Sequence, residues 1–171
     1  ENTYPVVGTY KTKGEFYYDA TNNRYRVDRE TGKGDRYCWL NGLKIFSSTP
    51  CSHIVTEGKR YLHYPEKKQC CYCCNAAQGC GILKPDWLSG ADFKGEVSIN
   101  GQQAYLWDKH GLQPNLYYET IAENPLDRKQ IETFQGTNDK QVFDTATFES
   151  SVPNSHMDLP DECQGASTCS Y

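Results

Sequence analysis

At 171 residues, with 37 % hydrophobic side chains, the chain is long enough for one domain with a core of its own. A net charge of −4 and a pI of about 5.6, with Lys and Arg scattered among acids, exclude a basic surface for nucleic acid or anionic membrane. No run approaches the ~18 consecutive apolar residues of a transmembrane segment.

The predicted elements are almost all strands. Tyr4–Thr12 and Glu15–Asp19 read as two strands meeting near Gly14, and Asn22-Asn23 as a turn, because Asn tolerates positive φ. Arg24–Arg29 alternates, with Tyr25 and Val27 on one face and Arg24, Arg26 and Asp28 on the other. Thr31–Gly34 reads as a turn. Asp35–Leu40 reads as a strand ending at the hairpin signal Asn41-Gly42, with Leu43–Phe46 starting the return. A loop through Cys51 leads to the strand Lys59–Tyr64. After the cysteine-rich stretch, Lys84–Leu88 reads as a short helical turn or loop with Trp87 as a buried peg. Val97 and Ala104 flank Asn100-Gly101, which suits a type I′ hairpin over 93–108. Its register puts Val97, Ile99, Ala104 and Leu106 on one face and Lys94, Glu96, Ser98, Tyr105 and Trp107 on the other. Asn115–Ile121 and Arg128–Phe134 read as strands around a Glu123-Asn-Pro turn, and Gln141–Ser150 as an extended segment. The tail from Val152 is loop-like. Aromatic residues make up 13 % of the chain, thirteen of them Tyr, and sustained helical periodicity is missing. The fold expected is mainly β: one domain over residues 1–171, antiparallel strands, few short helices, disulfide-stabilised, with a Cys-rich insertion at 70–80 and a disulfide-pinned tail at 152–171.

Five of the nine cysteines, Cys70, Cys71, Cys73, Cys74 and Cys80, fall within eleven residues, while Cys38, Cys51, Cys163 and Cys169 lie far away. That distribution suggests a disulfide hub with distant partners, so an oxidising compartment. Cys70-x-x-Cys73 and Cys71-x-x-Cys74 also have the spacing of zinc and thiol-redox sites. A zinc site lacks its second ligand pair here, since Cys38 and Cys51 stand alone. A redox site lacks the helix that lowers the thiol pKa, because Asn75–Gly79 reads as a turn. The expectation is structural disulfides with no metal and no cofactor. An odd count leaves one cysteine unpaired or intermolecular, and each choice of that one leaves about 105 connectivities. Secretion rests on the cysteines alone. The start Glu1-Asn2-Thr3-Tyr4 fits a mature chain after signal-peptide removal or a trimmed one, and no Asn-x-Ser/Thr sequon occurs.

Catalysis finds little support. His53 neighbours Cys51 in a loop, His63 lies in an alternating strand, His156 is in the tail, and Asp108-x-His110 reads as a solvated turn. None stands in a nucleophile, zincin or triad context. Asp19, Asp28 and Asp35 border turns but lack the spacing of a calcium loop. The chain therefore reads as no enzyme.

Several spaced motifs carry a family likeness: Phe16-Tyr-Tyr-Asp, Asn23-Arg-Tyr-Arg-Val, and Tyr61-Leu-His-Tyr leading to Cys70. Trp87-Leu, Phe93-Lys-Gly, Trp107, Leu116-Tyr-Tyr-Glu-Thr, Asn124-Pro and Asp158-Leu-Pro-Asp-Glu-Cys163 extend it. From Glu15 to Cys163 the chain resembles ependymin-related secreted proteins. It departs from them in the density of cysteines at 70–74 and in lacking sequons. The resemblance implies a LolA-like fold, similar to the bacterial periplasmic lipoprotein carriers. There, two facing curved sheets or a half-open barrel enclose a cavity for a lipid or other hydrophobic ligand. It also implies secreted or lysosomal, dimeric, calcium-responsive relatives. On this view Tyr17, Tyr105, Trp107 and Tyr117 are the ligand-binding residues, with Tyr on both faces of its strand. The alternative is a structural or adhesive subunit of an extracellular or surface assembly, using the Tyr-rich face and the odd cysteine.

Overall fold

Wherever two adjacent residues among those described take positive φ, the backbone turns back as a two-residue hairpin. Asn100 (φ 51°) and Gly101 (φ 81°) do so between strands β8 (Asp92–Ile99) and β9 (Gln102–His110). Glu57 (φ 51°) and Gly58 (φ 70°) do the same between β5 (Cys51–Thr56) and β6 (Lys59–Tyr64). Positive φ at both positions is the type I′ geometry, whose twist matches that of the flanking strands. The computed structural model describes residues 2–4, 8–33, 35, 37–38, 48–111, 114–136 and 139–170. As expected, these residues are mainly antiparallel β with short helical segments and four disulfides.

The chain forms two compact units, Tyr10–Pro85 with Ser151–Tyr171, and Glu1–Thr9 with Asp86–Ser150. The first holds a five-stranded meander, β3 (Gly14–Asp19), β4 (Arg24–Arg29), β5, β6 and β7 (Gln69–Asn75), each strand antiparallel to the next. Leu62 and Tyr64 of β6 and Cys71 and Cys73 of β7 point into a core that Cys38, Cys51 and Cys169 complete. Fully burying an apolar side chain such as Leu62 contributes about 1.5–3 kcal/mol. The sheet ends at β7, whose outer edge is covered by the tail. The Tyr72 N–H donates to the Ser167 carbonyl and the Cys169 N–H to the Tyr72 carbonyl, both at 2.8 Å. That cover blunts an edge that would otherwise offer unpaired backbone groups to another chain.

The disulfides fix the same edge. Cys70–Cys163 and Cys71–Cys169 bind the tail to β7, Cys74–Cys80 closes the turn after it, and Cys38–Cys51 lies at the start of β5. Asn75 and Gln78 form a reciprocal capping box inside the Cys74–Cys80 loop. Cys73 is the unpaired cysteine, and it is buried. It is also the extra residue of a β-bulge, because Arg60 pairs with Cys74 and Tyr61 with Tyr72.

The second unit carries a seven-stranded sheet ordered β2 (Gly8–Tyr10), β1 (Asn2–Tyr4), β12 (Asp139–Val142), β11 (Gln130–Gln135), β10 (Pro114–Thr120), β9, β8. Val97 pairs with Ala104 as expected. Asn124 caps the turn between β10 and β11 by accepting from the Leu126 N–H.

Several expectations change. Tyr4–Thr12 and Glu15–Asp19 do not meet as a hairpin at Gly14, since β2 and β3 belong to different sheets. Asp35–Leu40 is not a strand where it is described. The Asp35 carboxylate accepts from the Tyr37 and Cys38 N–H groups and holds them in a turn. Trp39, the Asn41-Gly42 signal and the return strand Leu43–Phe46 lie outside the described residues, as does Gly34 of the preceding turn. His53 is not in a loop but buried on β5. Asp108 and His110 stand on β9, not in a turn. Trp87 is only half-buried. Of the Cys-rich stretch, Cys70 to Cys74 lie on strand β7, followed by a 3-10 turn at Ala76–Gln78. Of 141–150 only the start is strand, followed by a 3-10 turn at Thr145–Thr147 capped by Asp144. The tail includes the helix α1 (Asn154–Met157) and a 3-10 turn at Asp161–Cys163.

Candidate functional site

Two clusters bring chemistry-bearing side chains together, one in each unit. The first is aromatic. Tyr105 and Trp107 lie two residues apart on β9, and Tyr117 of β10 pairs directly with Trp107, so all three share one face of the seven-stranded sheet. Trp87 sets its ring edge against Tyr117 at 4.3 Å. Strict alternation would send Phe93 to the Val97 face. A bulge between Phe93 and Gly95 inserts one residue and turns Phe93 onto the aromatic face instead. Gly95 takes φ 103° there, which a side chain would oppose. The Phe93 ring lies 5.5 Å from Tyr105 and 5.0 Å from Trp107, and the residue is 52 % exposed. Arg128 stacks over Tyr105 at 4.8 Å. Burial pushes the Glu119 carboxyl up, with the Arg128 charge and the Trp107 indole N–H partly offsetting it. Burial likewise pushes the Tyr117 hydroxyl up.

Tyr17, the fourth expected ligand residue, is elsewhere. It lies on β3 of the five-stranded sheet, donates its hydroxyl to Glu15 and meets the His156 ring edge-on at 5.2 Å. Burial and the Glu15 carboxylate push its pKa up to about 12. The structure thus unites three of the four expected residues and adds Phe93 and Trp87.

The second cluster is polar and buried. Asp35 Oδ2 stands 3.2 Å from His53 Nε2 and 2.9 Å from Arg29 Nε. The same His53 Nε2 lies 3.5 Å from Cys38 Sγ. Tyr37 sets its ring edge against the His53 ring at 5.8 Å. Burial alone would push the Asp35 carboxyl up, but His53 and Arg29 hold it well below the usual carboxylate range. The cluster resembles a Cys-His-Asp triad in composition only. A triad places nucleophile and acid on opposite ring nitrogens. Here both face Nε2, and Cys38 is disulfide-bonded.

The remaining candidates are engaged. Asp19 accepts from Asn22 and Arg24, which lower its pKa to about 2, and Asp28 is bound by Arg26. His63 is buried 3.8 Å from Glu162, and burial lowers its pKa. His110 is exposed and lies 3.4 Å from Asp108. An open basin of about 580 Å³ lined by Asn22, Arg24, Thr56, Glu57, Asn154 and Asp158 is predominantly polar.

Residues 54–163 match the model of a family described as a domain of unknown function, DUF8395. The chain belongs to that family. The match begins within β5 and ends at Cys163. It therefore includes the aromatic face and the Cys70–Cys163 bond, and leaves out Asp35, Cys38, Cys51 and His53. No curated protein matches the chain.

Proposed function

We propose that this chain is a secreted, non-enzymatic binding protein that holds a lipid or other hydrophobic ligand against the aromatic face of the seven-stranded sheet. The observation that carries the reading is the run of ring contacts among Phe93, Tyr105 and Trp107, beside the Trp87–Tyr117 pair, with half of Phe93 open to solvent. An apolar surface with a few polar handles is the usual make-up of a small-molecule site, and Arg128 and Glu119 are such handles here. The resemblance to ependymin-related proteins points the same way. Four disulfides suit an oxidising compartment, and among the described residues no helix is long and apolar enough to cross a membrane.

The second reading is a subunit of an extracellular assembly. Phe134 and Val142 favour it, being 40 % and 59 % exposed on the opposite face of the same sheet. The odd cysteine no longer supports it, because Cys73 is buried. Titration of lipid-stripped protein with a fluorescent fatty-acid analogue separates the two. The carrier reading expects saturable quenching of tryptophan fluorescence that Trp107→Phe diminishes. Absence of saturable binding up to the analogue's solubility limit would leave the assembly reading in front.

A further inference from the structure

Cys38 and Cys51-x-His53 bring two sulfurs and an imidazole together in the interior, and Asp35 sets its carboxylate against the imidazole. Cys38, Cys51, His53 and Asp35 are 2 %, 0 %, 4 % and 5 % exposed. The ligand atoms of Cys38, Cys51 and His53 all lie within 4.8 Å of one another. We propose that these four residues form a Zn²⁺ site in the reduced chain, and that the Cys38–Cys51 bond takes the metal's place on oxidation.

Two edges of a tetrahedron are already at length. Ordinary Zn–S, Zn–N and Zn–O bonds give edges of about 3.6 Å between S and N and about 3.4 Å between N and O. His53 Nε2 already stands 3.5 Å from Cys38 Sγ and 3.2 Å from Asp35 Oδ2. The Sγ–Sγ edge has to lengthen from a covalent bond to about 3.8 Å, and Asp35, which falls outside the group of three, has to close on the sulfurs. The donor set of two thiolates, one imidazole and one carboxylate suits zinc. Around it the outer partners are in place: Arg29 on the same carboxylate, and the Tyr37 and Cys38 N–H groups on its other oxygen. Charge balances in both states. Oxidised, Asp35 is offset by Arg29. Reduced and loaded, Zn²⁺ and Arg29 offset two thiolates and Asp35, so no net charge is left in the core.

The chemistry balances as well. Each cysteine thiol releases one proton when Zn²⁺ binds. A disulfide-containing oxidant then takes two electrons from the two thiolates. The Cys38 Sγ–Cys51 Sγ bond forms, the oxidant's S–S bond breaks, its two thiolates take up protons, and Zn²⁺ leaves.

The full chain, reduced with a phosphine and refolded under it with Co²⁺, tests the site. One Co²⁺ per chain should bind with the visible bands of tetrahedral cobalt and a thiolate charge-transfer band. His53→Gln should weaken binding by at least the 10–100-fold that losing an outer-shell partner costs. Cys73→Ala with Cys74→Ala, which removes the competing C-x-x-C thiols, should leave binding unchanged. Cobalt that survives His53→Gln and is lost with the Cys73 and Cys74 pair overturns the proposal. Because His53→Gln also removes a buried side chain from the fold, the unmutated reduced chain gives a second readout. Zn²⁺ should protect Cys38 and Cys51 from alkylation selectively, and equal labelling with and without Zn²⁺ overturns the site.

Discussion

All nine cysteines lie in the five-stranded unit, and the seven-stranded unit has none. The first unit builds its core from the Cys38–Cys51 and Cys71–Cys169 cystines, Cys73, Leu62 and Tyr64, beside an Asp35–His53–Arg29 network. The second relies on strand pairing, ring contacts and a buried Glu132 that accepts from Asn100 at 3.1 Å and pairs with Lys140 at 3.0 Å. One unit is held by covalent bonds that restrict its unfolded chain; the other is held by local hairpins and side-chain contacts. The contrast teaches where each is vulnerable, the first to loss of a crosslink and the second to turn geometry.

The largest break should come from Cys71→Ala with Cys169→Ala. This bond joins residues 98 apart and ties the tail to the edge of β7. Its loss should cost about 2–5 kcal/mol. Hydrogen exchange should show β6 and β7 losing protection while β8–β11 keep theirs; equal loss in both units would erase the contrast.

Asp35→Asn should cost about 3 kcal/mol at neutral pH, because it leaves Arg29 without its partly buried counter-charge. The folded-state pKa of Asp35 is depressed. Its contribution is therefore present above the unfolded value and disappears as pH falls below about 4. Denaturant melts from pH 7 to pH 2 should show the gap between wild type and variant closing at the acid end. A gap that stays constant would mean that the carboxylate's charge is not what stabilises the turn.

In the other unit, Gly101→Val should cost about 1–2 kcal/mol, since a β-branched residue resists the φ of 81° that the turn imposes. Gln102→Val, one residue later on β9, should stay within about 0.5 kcal/mol. Equal melting temperatures would dissociate the hairpin from this turn. The smallest effect belongs to Phe93→Ala, about 0.5–1 kcal/mol from two lost ring contacts. Its consequence should show instead in weaker binding of the fatty-acid analogue.

The sequence signals that served best were local. Asn100-Gly101 identified a turn and a register because two adjacent positive φ values leave few alternatives. Glu57-Gly58 forms the same turn, and with the β-branched run Ile54-Val55-Thr56 it is an equally local hairpin signal for β5. The face of Phe93 is not legible in the sequence, because a bulge at Gly95 breaks the alternation without changing the hydrophobic pattern. The buried polar cluster was legible only in fragments. A search for C-x-x-C pairs dismisses Cys38 and Cys51 as isolated, yet Asp35-x-x-Cys38 and Cys51-x-His53 meet in space.

The sequence by itself determined the class of structure: Tyr-rich, Gly-punctuated alternation gives antiparallel β, and nine cysteines give crosslinks and one odd thiol. Those properties depend on composition and on neighbours within a few residues. Tertiary structure decided which cysteines pair, that Cys73 is the one left buried, that Tyr17 parts from Tyr105, Trp107 and Tyr117, and that Asp35 reaches His53. Each of these depends on strand order and register between residues far apart in the chain, and local preferences carry no information about that.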